Sequence, residues 1–370
     1  MDFFKLKVKD KKQETADAVT IEFEIPEGLG DRFVYKQGQY VTIRKHEGEQ
    51  ELRRSYSMSS SPLEKRLAVT VKKVTGGKMS TWLHDVVQVG DVLEVATPDG
   101  RFFNTLNPEK RRTYYLFGAG SGITPLLSTI KTILESEPMS VLFLFYGSRT
   151  EDNIIFRDEL DQLAARYNGQ LHVEHILSQP KKDSGSGGLF GLFKKSTIHW
   201  QGKIGRIDPR SAMTWLDENM PHGPEQDCLY YVCGPGDMAD RVKTALLGRG
   251  IGEKQIHTEY FVNANHVPGD IAEAGPAGGG KKVVVHLKGE RFELQVPDGA
   301  TILDVLVKAK YDPPYSCTAG ACSTCMAKII KGSVKMDACY ALDDDEVKAG
   351  YILTCQSKLE TPVVEISYDL

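Results

Sequence analysis

The chain has 370 residues, more than one hydrophobic core usually serves, which predicts two or three domains. Its net charge is −4 with both signs interspersed, and this argues against binding to nucleic acid or to an acidic membrane surface. The sequence favours a cytoplasmic protein with no membrane partner, for three reasons. Its seven cysteines form no disulfide framework, no apolar run is long enough to span a bilayer, and the N-terminus has no secretory signal.

Residues 1–110 predict an antiparallel β-barrel, because short strand-like runs alternate with turn residues. These runs lie at 19–25, 39–45, 66–74 and 91–97. The segment also contains two motifs that suit a flavin nucleotide, RSYS at 54–57 and GGKMS at 76–80, the second followed by a predicted helical stretch at 81–87.

The physical case for each motif rests on the groups that it presents. In RSYS, the Arg fork can pair with a pyrophosphate, the Tyr ring can pack on a flavin and a Ser hydroxyl can reach a ring nitrogen. In GGKMS, a Gly-rich turn opens a helix, which is a ready anion site. Either motif alone is equally compatible with ordinary turn chemistry.

Residues 113–262 predict a parallel sheet with helices on its faces, since strand-like runs here alternate with helical stretches. These runs lie at 114–117, 141–146, 171–177 and 228–233. An insertion at 179–197 combines a Ser/Gly stretch with an apolar GLFGLF flanked by lysines. It is interpreted as a mobile surface loop, with a docking element for a partner as the alternative.

Two glycine-containing loops follow predicted strands in this segment, GAGSGITP at 118–125 and CGPG at 233–236. The first departs from the G-x-G-x-x-G fingerprint because Ile123 stands where that pattern has Gly. Its glycines still allow the backbone to approach a pyrophosphate at a helix N-terminus. Both loops should lie at the carboxyl edge of one sheet, where open α/β sheets bind ligands.

Ser148 and Arg149 follow the second strand of this sheet, where an NAD-specific protein would carry an acidic residue. An arginine there favours the 2′-phosphate of NADPH, although Glu151 and Asp152 argue against it. The sequence therefore predicts NADPH, with NADH as the alternative.

Residues 264–281 are rich in Gly, Ala and Pro, as flexible tethers are. Two strand-like runs at 282–288 and 291–296 and a helical stretch at 301–309 come next. This order, with a cysteine loop directly after the helix, resembles the β-grasp fold of plant-type ferredoxins.

Four cysteines in that last segment predict an iron-sulfur cluster. Cys317, Cys322 and Cys325 have the spacing C-x4-C-x2-C, with Cys355 as a distant fourth, which is the ligand pattern of a plant-type 2Fe-2S cluster. A structural zinc site is the alternative, but zinc domains usually pair two close-spaced cysteine knuckles.

The ordered set RSYS, GGKMS, GAGSGITP and CGPGD resembles the ferredoxin-NADP reductase superfamily over residues 1–262. The resemblance implies an FAD-binding barrel with Arg54 on the pyrophosphate, Tyr56 against the flavin and Ser57 near flavin N5. It also implies that Thr124 and Cys233 lie beside the nicotinamide.

Ser80 is implied to lie at the flavin phosphates, and the HTEYF stretch makes Glu259 the matching acid and Phe261 the matching aromatic ring on the flavin. The predicted catalytic residues are Ser57, Cys233 and Glu259. The predicted cofactor-binding residues are Arg54, Ser55, Tyr56, Ser57, Gly77, Lys78, Met79, Ser80, Gly118, Gly120, Gly122, Thr124, Ser148, Arg149, Cys233, Gly234, Pro235 and Phe261.

The domain order, flavin then nicotinamide then ferredoxin, resembles oxygenase reductases, and the C-terminal segments are most similar to the reductases of the phenylacetyl-CoA epoxidase system. The phthalate-dioxygenase type shares the order but uses FMN, whereas the Gly-rich turn here suits FAD. The resemblance implies electron flow from NADPH through FAD and the 2Fe-2S cluster to a di-iron oxygenase acting on an aryl-CoA. A Rieske dioxygenase or a desaturase as acceptor, a general NAD(P)H-ferredoxin-type reductase and a pure redox carrier are the alternatives.

The predicted domain boundaries are 1–110 for the FAD barrel, 111–262 for the nucleotide domain, 263–281 for the linker and 282–370 for the ferredoxin.

Overall fold

The computed structural model of the protein describes residues 1–48, 50–183, 197–261, 268–269 and 280–369. Three large sheets follow one another along the chain: antiparallel, parallel and mixed. This arrangement confirms the fold class predicted from the sequence. No helix within the described ranges is long and apolar enough to cross a membrane.

The first sheet is a six-stranded antiparallel barrel with the order β4-β3-β6-β1-β2-β5, and a bridge between Met58 and Val69 joins the ends of its edge strands. Its strands are β1 (Phe3–Thr15), β2 (Ala18–Glu24), β3 (Tyr40–Glu47), β4 (Gln50–Ser57), β5 (Leu67–Lys72) and β6 (Val92–Ala96). The predicted helix at 81–87 begins earlier, because the Gly77 turn starts α1 (Lys78–Thr81), which continues as one π-helical turn, Trp82–Val86.

The second sheet is parallel, with the order β12-β9-β8-β7-β13-β14. Its strands are β7 (Thr113–Ala119), β8 (Val141–Ser148), β9 (Leu171–Leu177), β12 (Lys203–Ile204), β13 (Cys228–Pro235) and β14 (Ile256–Phe261); a small hairpin, β10 (Lys182–Asp183) with β11 (Thr197–Ile198), stands apart. Its helices are α2 (Ile123–Ser136), α3 (Arg157–Arg166), α4 (Pro209–Glu218) and α5 (Gly236–Gly248).

Helices cover both faces of this sheet, so successive strand residues are buried on opposite sides. Tyr114 and Leu116 of β7 pack with α2 and α3, whereas Tyr115 and Phe117 pack with Trp215 of α4 and with α5. The strand order reverses between β7 and β13, and the two glycine-containing loops leave the carboxyl ends of these two strands. The sheet thus brings both loops to one carboxyl edge, as the sequence predicts, and the structure places them at the switch point.

The third sheet has the order β16-β15-β21-β17-β19, with α6 packed on it, and β18 pairs with β20 in a separate two-stranded sheet. The strands of this part are β15 (Lys281–Leu287), β16 (Glu290–Val296), β17 (Met326–Lys331), β18 (Val334–Met336), β19 (Tyr351–Leu353), β20 (Ser357–Leu359) and β21 (Val363–Ser367); its helices are α6 (Ile302–Lys308) and α7 (Asp344–Lys348). A capping box between Thr301 and Asp304 begins α6.

Two predicted segments lie largely outside the described residues. Of the tether at 264–281, the described Gly269 donates its backbone N–H to Asp304 Oδ1 on α6 at 3.4 Å. Of the insertion at 179–197, residues 184–196 are not described, but β10 and β11 pair at its two ends. The insertion therefore leaves and rejoins the fold through a hairpin stem.

Candidate functional site

Three of the predicted residues meet where the barrel touches the parallel sheet. Ser57 ends β4, and Cys233 of β13 is paired in register with Glu259 of β14. The Ser57 hydroxyl donates to Glu259 Oε2 at 3.3 Å, and the Cys233 thiol donates to the same oxygen at 3.8 Å. The structure thus brings together the predicted catalytic set, Ser57, Cys233 and Glu259.

The electrostatics of this cluster favour neutral groups. Withdrawal from water raises the pKa of the Glu259 carboxyl to about 8, because the hydroxyl and thiol donors offset burial only in part. Burial and the neighbouring Glu259 raise the pKa of the Cys233 thiol well above its usual value. Near neutral pH the cluster therefore contains a carboxylic acid, a thiol and a hydroxyl, which hold protons without adding charge.

The two glycine-containing loops are in close contact at the switch point. A Cβ atom on Gly122 would lie 2.1 Å from the Cys233 carbonyl oxygen, and one on Gly234 would lie 2.5 Å from Met238 Cε. At position 122 only glycine leaves room for the backbone of the other loop, whereas at position 234 a Cβ would first displace the flexible end of Met238. Gly120 has φ +56°, and Gly120–Gly122 form a 3₁₀ turn that leads into α2.

The other predicted residues of these loops line the same edge of the sheet. Thr124 is buried, and its hydroxyl donates to the Ser121 carbonyl at 3.0 Å. Gly118 packs under Leu126, and Pro235 precedes α5. Phe261, the last residue of β14, is half-buried against the core on the α2 face. Its stacking on a flavin stays a prediction.

Arg54 and Tyr56 lie on β4 between the parallel sheet and the cysteine loop. The Tyr56 ring packs against the barrel core, and the Arg54 guanidinium is half-buried with Tyr56 and Cys317 among its neighbours. Burial lowers the pKa of Arg54, and Arg54 Nη1 donates to the Arg53 carbonyl at 2.7 Å. A partly buried guanidinium interacts more strongly with an anionic ligand than a fully exposed one does, because less water screens its charge.

The GGKMS turn is held by its own side chains. The Ser80 hydroxyl accepts from Val74 N–H at 3.1 Å, and Gly77 has no room for a Cβ, which would lie 2.7 Å from Ser80 Oγ. Met79 is buried, and the exposed Lys78 ammonium lies 3.5 Å from Glu47. Ser80 therefore shapes the turn, and Lys78 is the cation that the turn presents to solvent.

The region after β8 presents an unengaged cation. Ser148 is buried at the strand end, and Arg149 is exposed without an acidic partner among the described residues. Asp152 pairs with Lys181 Nζ at 2.6 Å, and Glu151 accepts from Lys181 N–H at 3.0 Å. The two acids that argued against a phosphate at Arg149 are thus bound to another residue.

The four predicted ligand cysteines lie together in one cluster. Cys317 contacts Cys322, Cys325 contacts Cys355, and Cys317 also contacts Cys355. No three His, Cys, Asp or Glu side chains in the described parts of the chain converge on a point that could hold one ion. Four neighbouring thiols are the ligand set that a plant-type 2Fe-2S cluster requires.

The loop around these thiols is shaped to donate hydrogen bonds. Thr318 and Gly320 have φ of +56° and +72°, and a Cβ on Gly320 would lie 2.8 Å from the Ala338 carbonyl oxygen. Ala319 N–H donates to Cys317 Sγ at 3.4 Å. On the other side, Gln356 Nε2 donates to Cys355 Sγ at 3.6 Å. The thiols and the donors around them fit a 2Fe-2S cluster.

The cysteine loop rests on the outer side of β3 and β4. Ser316 Oγ accepts from the Thr42 hydroxyl at 3.1 Å and lies 2.6 Å from Ser55 Oγ. Ser55 and Ser57 are two residues apart on β4, a separation of about 7 Å in a strand. One strand therefore contacts both the Glu259 cluster and the loop that holds Cys317.

Three family models match consecutive parts of the chain: an oxidoreductase FAD-binding domain at 5–103, an oxidoreductase NAD-binding domain at 116–244 and a 2Fe-2S iron-sulfur cluster binding domain at 285–360. The chain is 34% identical to a component of the 1,2-phenylacetyl-CoA epoxidase of Escherichia coli (strain K12), over 99% of this chain and 98% of that protein.

The chain is also 32% identical to the ferredoxin reductase component of 3-ketosteroid-9-alpha-monooxygenase from Rhodococcus rhodochrous, over 96% of this chain and 94% of that protein. The solved structure of phthalate dioxygenase reductase superposes with a TM-score of 0.58 at 23% identity, covering 99% of this chain and 98% of that one. The chain belongs to the ferredoxin reductase superfamily, with a C-terminal 2Fe-2S domain. This reductase is an electron-transfer oxidoreductase, as predicted, with domains for FAD, a nicotinamide nucleotide and a 2Fe-2S cluster.

The structure singles out Arg53, a residue of this reductase that sequence reasoning missed. Arg53, beside the predicted Arg54, is 3% exposed and reaches the ferredoxin part. Its Nη2 donates to Asp312 Oδ1 at 2.8 Å and its Nη1 to the Pro313 carbonyl at 3.4 Å. Its guanidinium also lies 4.3 Å from the centre of the Tyr315 ring. The available signal was strand alternation, which places Arg53 and Arg54 on opposite sides of β4.

Proposed function

We propose that the reductase takes electrons from NADPH and passes them through FAD and the 2Fe-2S cluster to the oxygenase component of a multicomponent system, the di-iron phenylacetyl-CoA epoxidase. The observation that carries this proposal is the double contact of β4, which reaches Glu259 through Ser57 and the cysteine loop through Ser55. A group held by the RSYS motif has the nucleotide sheet on one side and the cluster ligands on the other.

When bound, the flavin supplies the conversion of a two-electron hydride into single electrons, and the cluster accepts those electrons one at a time. In this proposal Arg54 offers its half-buried charge to the pyrophosphate, and Tyr56 offers its ring to the flavin. Ser57 and Glu259 hold protons at the place where the hydride arrives, with Cys233 filling the space beside them. The close contact of the two loops at Gly122 would help to position the nucleotide at the edge of the sheet.

The preference for NADPH is proposed from Arg149. Its exposed guanidinium follows β8, and Lys181 occupies the nearby carboxylates of Glu151 and Asp152. An exposed guanidinium suits the doubly charged 2′-phosphate of NADPH, whereas the ribose hydroxyl of NADH offers it no charge.

Steady-state kinetics of Arg149→Ala test this preference. The KM for NADPH should rise about tenfold to a hundredfold, equivalent to about 1.5 to 3 kcal/mol, while the KM for NADH stays close to the wild-type value. Arg249→Ala, which removes an exposed arginine paired with Asp217, is the matched control. Equal losses with both nucleotides would show that Arg149 is structural.

Reconstitution tests the partner. The chain is 34% identical to the phenylacetyl-CoA epoxidase component and 32% identical to the 3-ketosteroid monooxygenase reductase, so both partner systems are candidates. NADPH-driven product formation with the epoxidase oxygenase component should exceed that with the 3-ketosteroid oxygenase component. The reverse order would assign the reductase to the steroid system.

We propose that the bound flavin is FAD. Acid extraction followed by chromatography should release FAD, and release of FMN would contradict the proposal. We propose the domain boundaries 1–110, 111–262, 263–281 and 282–370, and limited proteolysis should cut the chain within the linker at 263–281.

The seven cysteines form no disulfide, which supports a reducing compartment, and we propose that this compartment is the cytoplasm.

A further inference from the structure

The barrel delivers a hydroxyl to the loop that holds the cluster ligands. Tyr40 of β3 is 4% exposed, and its hydroxyl oxygen lies 2.8 Å from Thr324 Oγ1. Thr324 stands between the predicted ligands Cys322 and Cys325, and its hydroxyl lies within reach of the Cys322 sulfur. Asp99, at 3.4 Å, is a poorer acceptor for Tyr40 because of its distance. A buried contact between side chains 284 positions apart thus ends at a cluster ligand.

The direction of each hydrogen bond follows from the acceptors. A cysteine sulfur that binds iron carries negative charge, so the Thr324 hydroxyl is best used as a hydrogen-bond donor to the Cys322 sulfur. A threonine hydroxyl has one proton, and its oxygen is then left to accept from Tyr40. The hydroxyls form a relay from Tyr40 through Thr324 to Cys322.

We propose that Tyr40 is a positioning residue that holds the Thr324 hydroxyl on the Cys322 sulfur, so that the barrel itself raises the reduction potential of the cluster. This inference rests on the assignment of the four cysteines as 2Fe-2S ligands. Hydrogen bonds to the ligand sulfurs favour the reduced cluster, because they stabilise its additional negative charge. The relay makes the docked cluster a better acceptor for electrons that leave the flavin.

The experiment is an EPR-monitored redox titration of the full-length holoprotein. Tyr40→Phe keeps the ring but removes the hydroxyl, and it should lower the midpoint potential by about 59 mV, a tenfold change in a one-electron equilibrium constant. Tyr35→Phe is the matched control, since it removes another barrel hydroxyl, one that lies 2.7 Å from Ser60 Oγ. Tyr35→Phe should leave the cluster potential unchanged.

Variants of Thr324 separate the relay from a general loss of packing. Thr324→Val should lower the potential at least as much as Tyr40→Phe, and adding Tyr40→Phe to Thr324→Val should lower it no further. Thr324→Ser, which keeps the hydroxyl, should retain the wild-type potential. An unchanged potential in Tyr40→Phe, or additive effects in the double variant, would overturn the relay.

The same samples distinguish failure of the relay from failure of the proposed function. Loss of the 2Fe-2S EPR signal from the wild type would refute the cluster assignment, whereas an intact signal with unaltered potentials would refute only the relay. If Tyr40→Phe does not retain the cluster, the comparison of Thr324→Ser with Thr324→Val decides, and equal potentials in those two variants overturn the proposal.

Discussion

The two contacts of β4 differ in their chemistry. At the Glu259 end, Ser57 and Cys233 share Glu259, whose pKa is raised to about 8, so the groups there are neutral near pH 7. At the cluster end, serine, threonine and tyrosine hydroxyls meet the cysteine loop, and the ion pair of Arg53 with Asp312 lies beside them. One contact excludes charge and the other depends on it.

This difference matches what each contact would do in the proposed function. A hydride moves between groups held in one fixed geometry, and a nearby charge would favour one redox state of the bound groups over the other. A docked electron carrier needs orientation that a few charged and polar contacts can supply. Substitutions should therefore affect one end without the other, which the next three experiments test.

Cys322→Ser should produce the largest separation of the two ends. Losing one thiolate ligand should abolish the cluster. The rate of reduction of cytochrome c or an oxygenase should then fall at least a thousandfold, which corresponds to an activation barrier higher by about 4 kcal/mol. NADPH oxidation with ferricyanide should continue at the wild-type rate, because the flavin half is untouched. Full oxygenase-coupled activity in this variant would contradict the order nicotinamide, flavin, cluster, partner.

Arg53→Ala should loosen the cluster end while leaving its ligands in place. The substitution leaves Asp312 without its buried partner, and cytochrome c reduction should fall about tenfold to a hundredfold at an unchanged ferricyanide rate. Arg44→Ala is the control, since Arg44 pairs with Glu94 within the barrel at 3.0 Å. An equal loss in Arg44→Ala would assign the effect to the barrel and not to docking.

Glu259→Gln should change how stability depends on pH. The folded carboxyl has a pKa of about 8 against an ordinary value of 4.5, so the folded state retains a proton that the unfolded state releases. The wild type should therefore lose stability as pH rises from about 4.5 to about 8, whereas Gln cannot ionise. The free energies of unfolding should diverge by about 1 to 2 kcal/mol across this window, allowing for the partial exposure of Glu259.

Urea titrations at several pH values measure this divergence. Glu253→Gln, at an exposed glutamate paired with Lys243, is the control and should follow the wild type at every pH. Parallel curves for Glu259→Gln and the wild type would show that the carboxyl is ionised in the folded protein.

The sequence predicted the parts of the fold that depend on local pattern. Runs such as 171–177 became strands with those bounds because apolar and β-branched residues dominate them. The strand Phe3–Thr15 was missed, since lysines fill its exposed positions and obscure the alternation around Leu6 and Val8. The helix predicted at 81–87 was wrong at its start, because the Gly77 turn begins the helix at Lys78.

The site residues were predictable where the spacing of residues along the chain, or a family motif, indicates their chemistry. Cysteine spacing gave the cluster ligands, and the family resemblance gave Ser57 and Glu259, which the structure places in contact. Arg53 and Tyr40 were missed for a physical reason. Strand alternation tells which side of β3 or β4 a residue faces, but no local pattern tells that Thr324 or Asp312, more than 250 residues away, will cover that side.

The attachment of Gly269 to α6 limits how far the ferredoxin can travel. Because Phe261 belongs to the parallel sheet and Gly269 donates to Asp304, only residues 262–268 connect the two anchored points. The eight Cα–Cα steps between these points span at most about 29 Å, so a released ferredoxin searches a small volume at an effective concentration in the millimolar range. Its return to the barrel is therefore a unimolecular event, and the rate of internal electron transfer should not change when the enzyme is diluted.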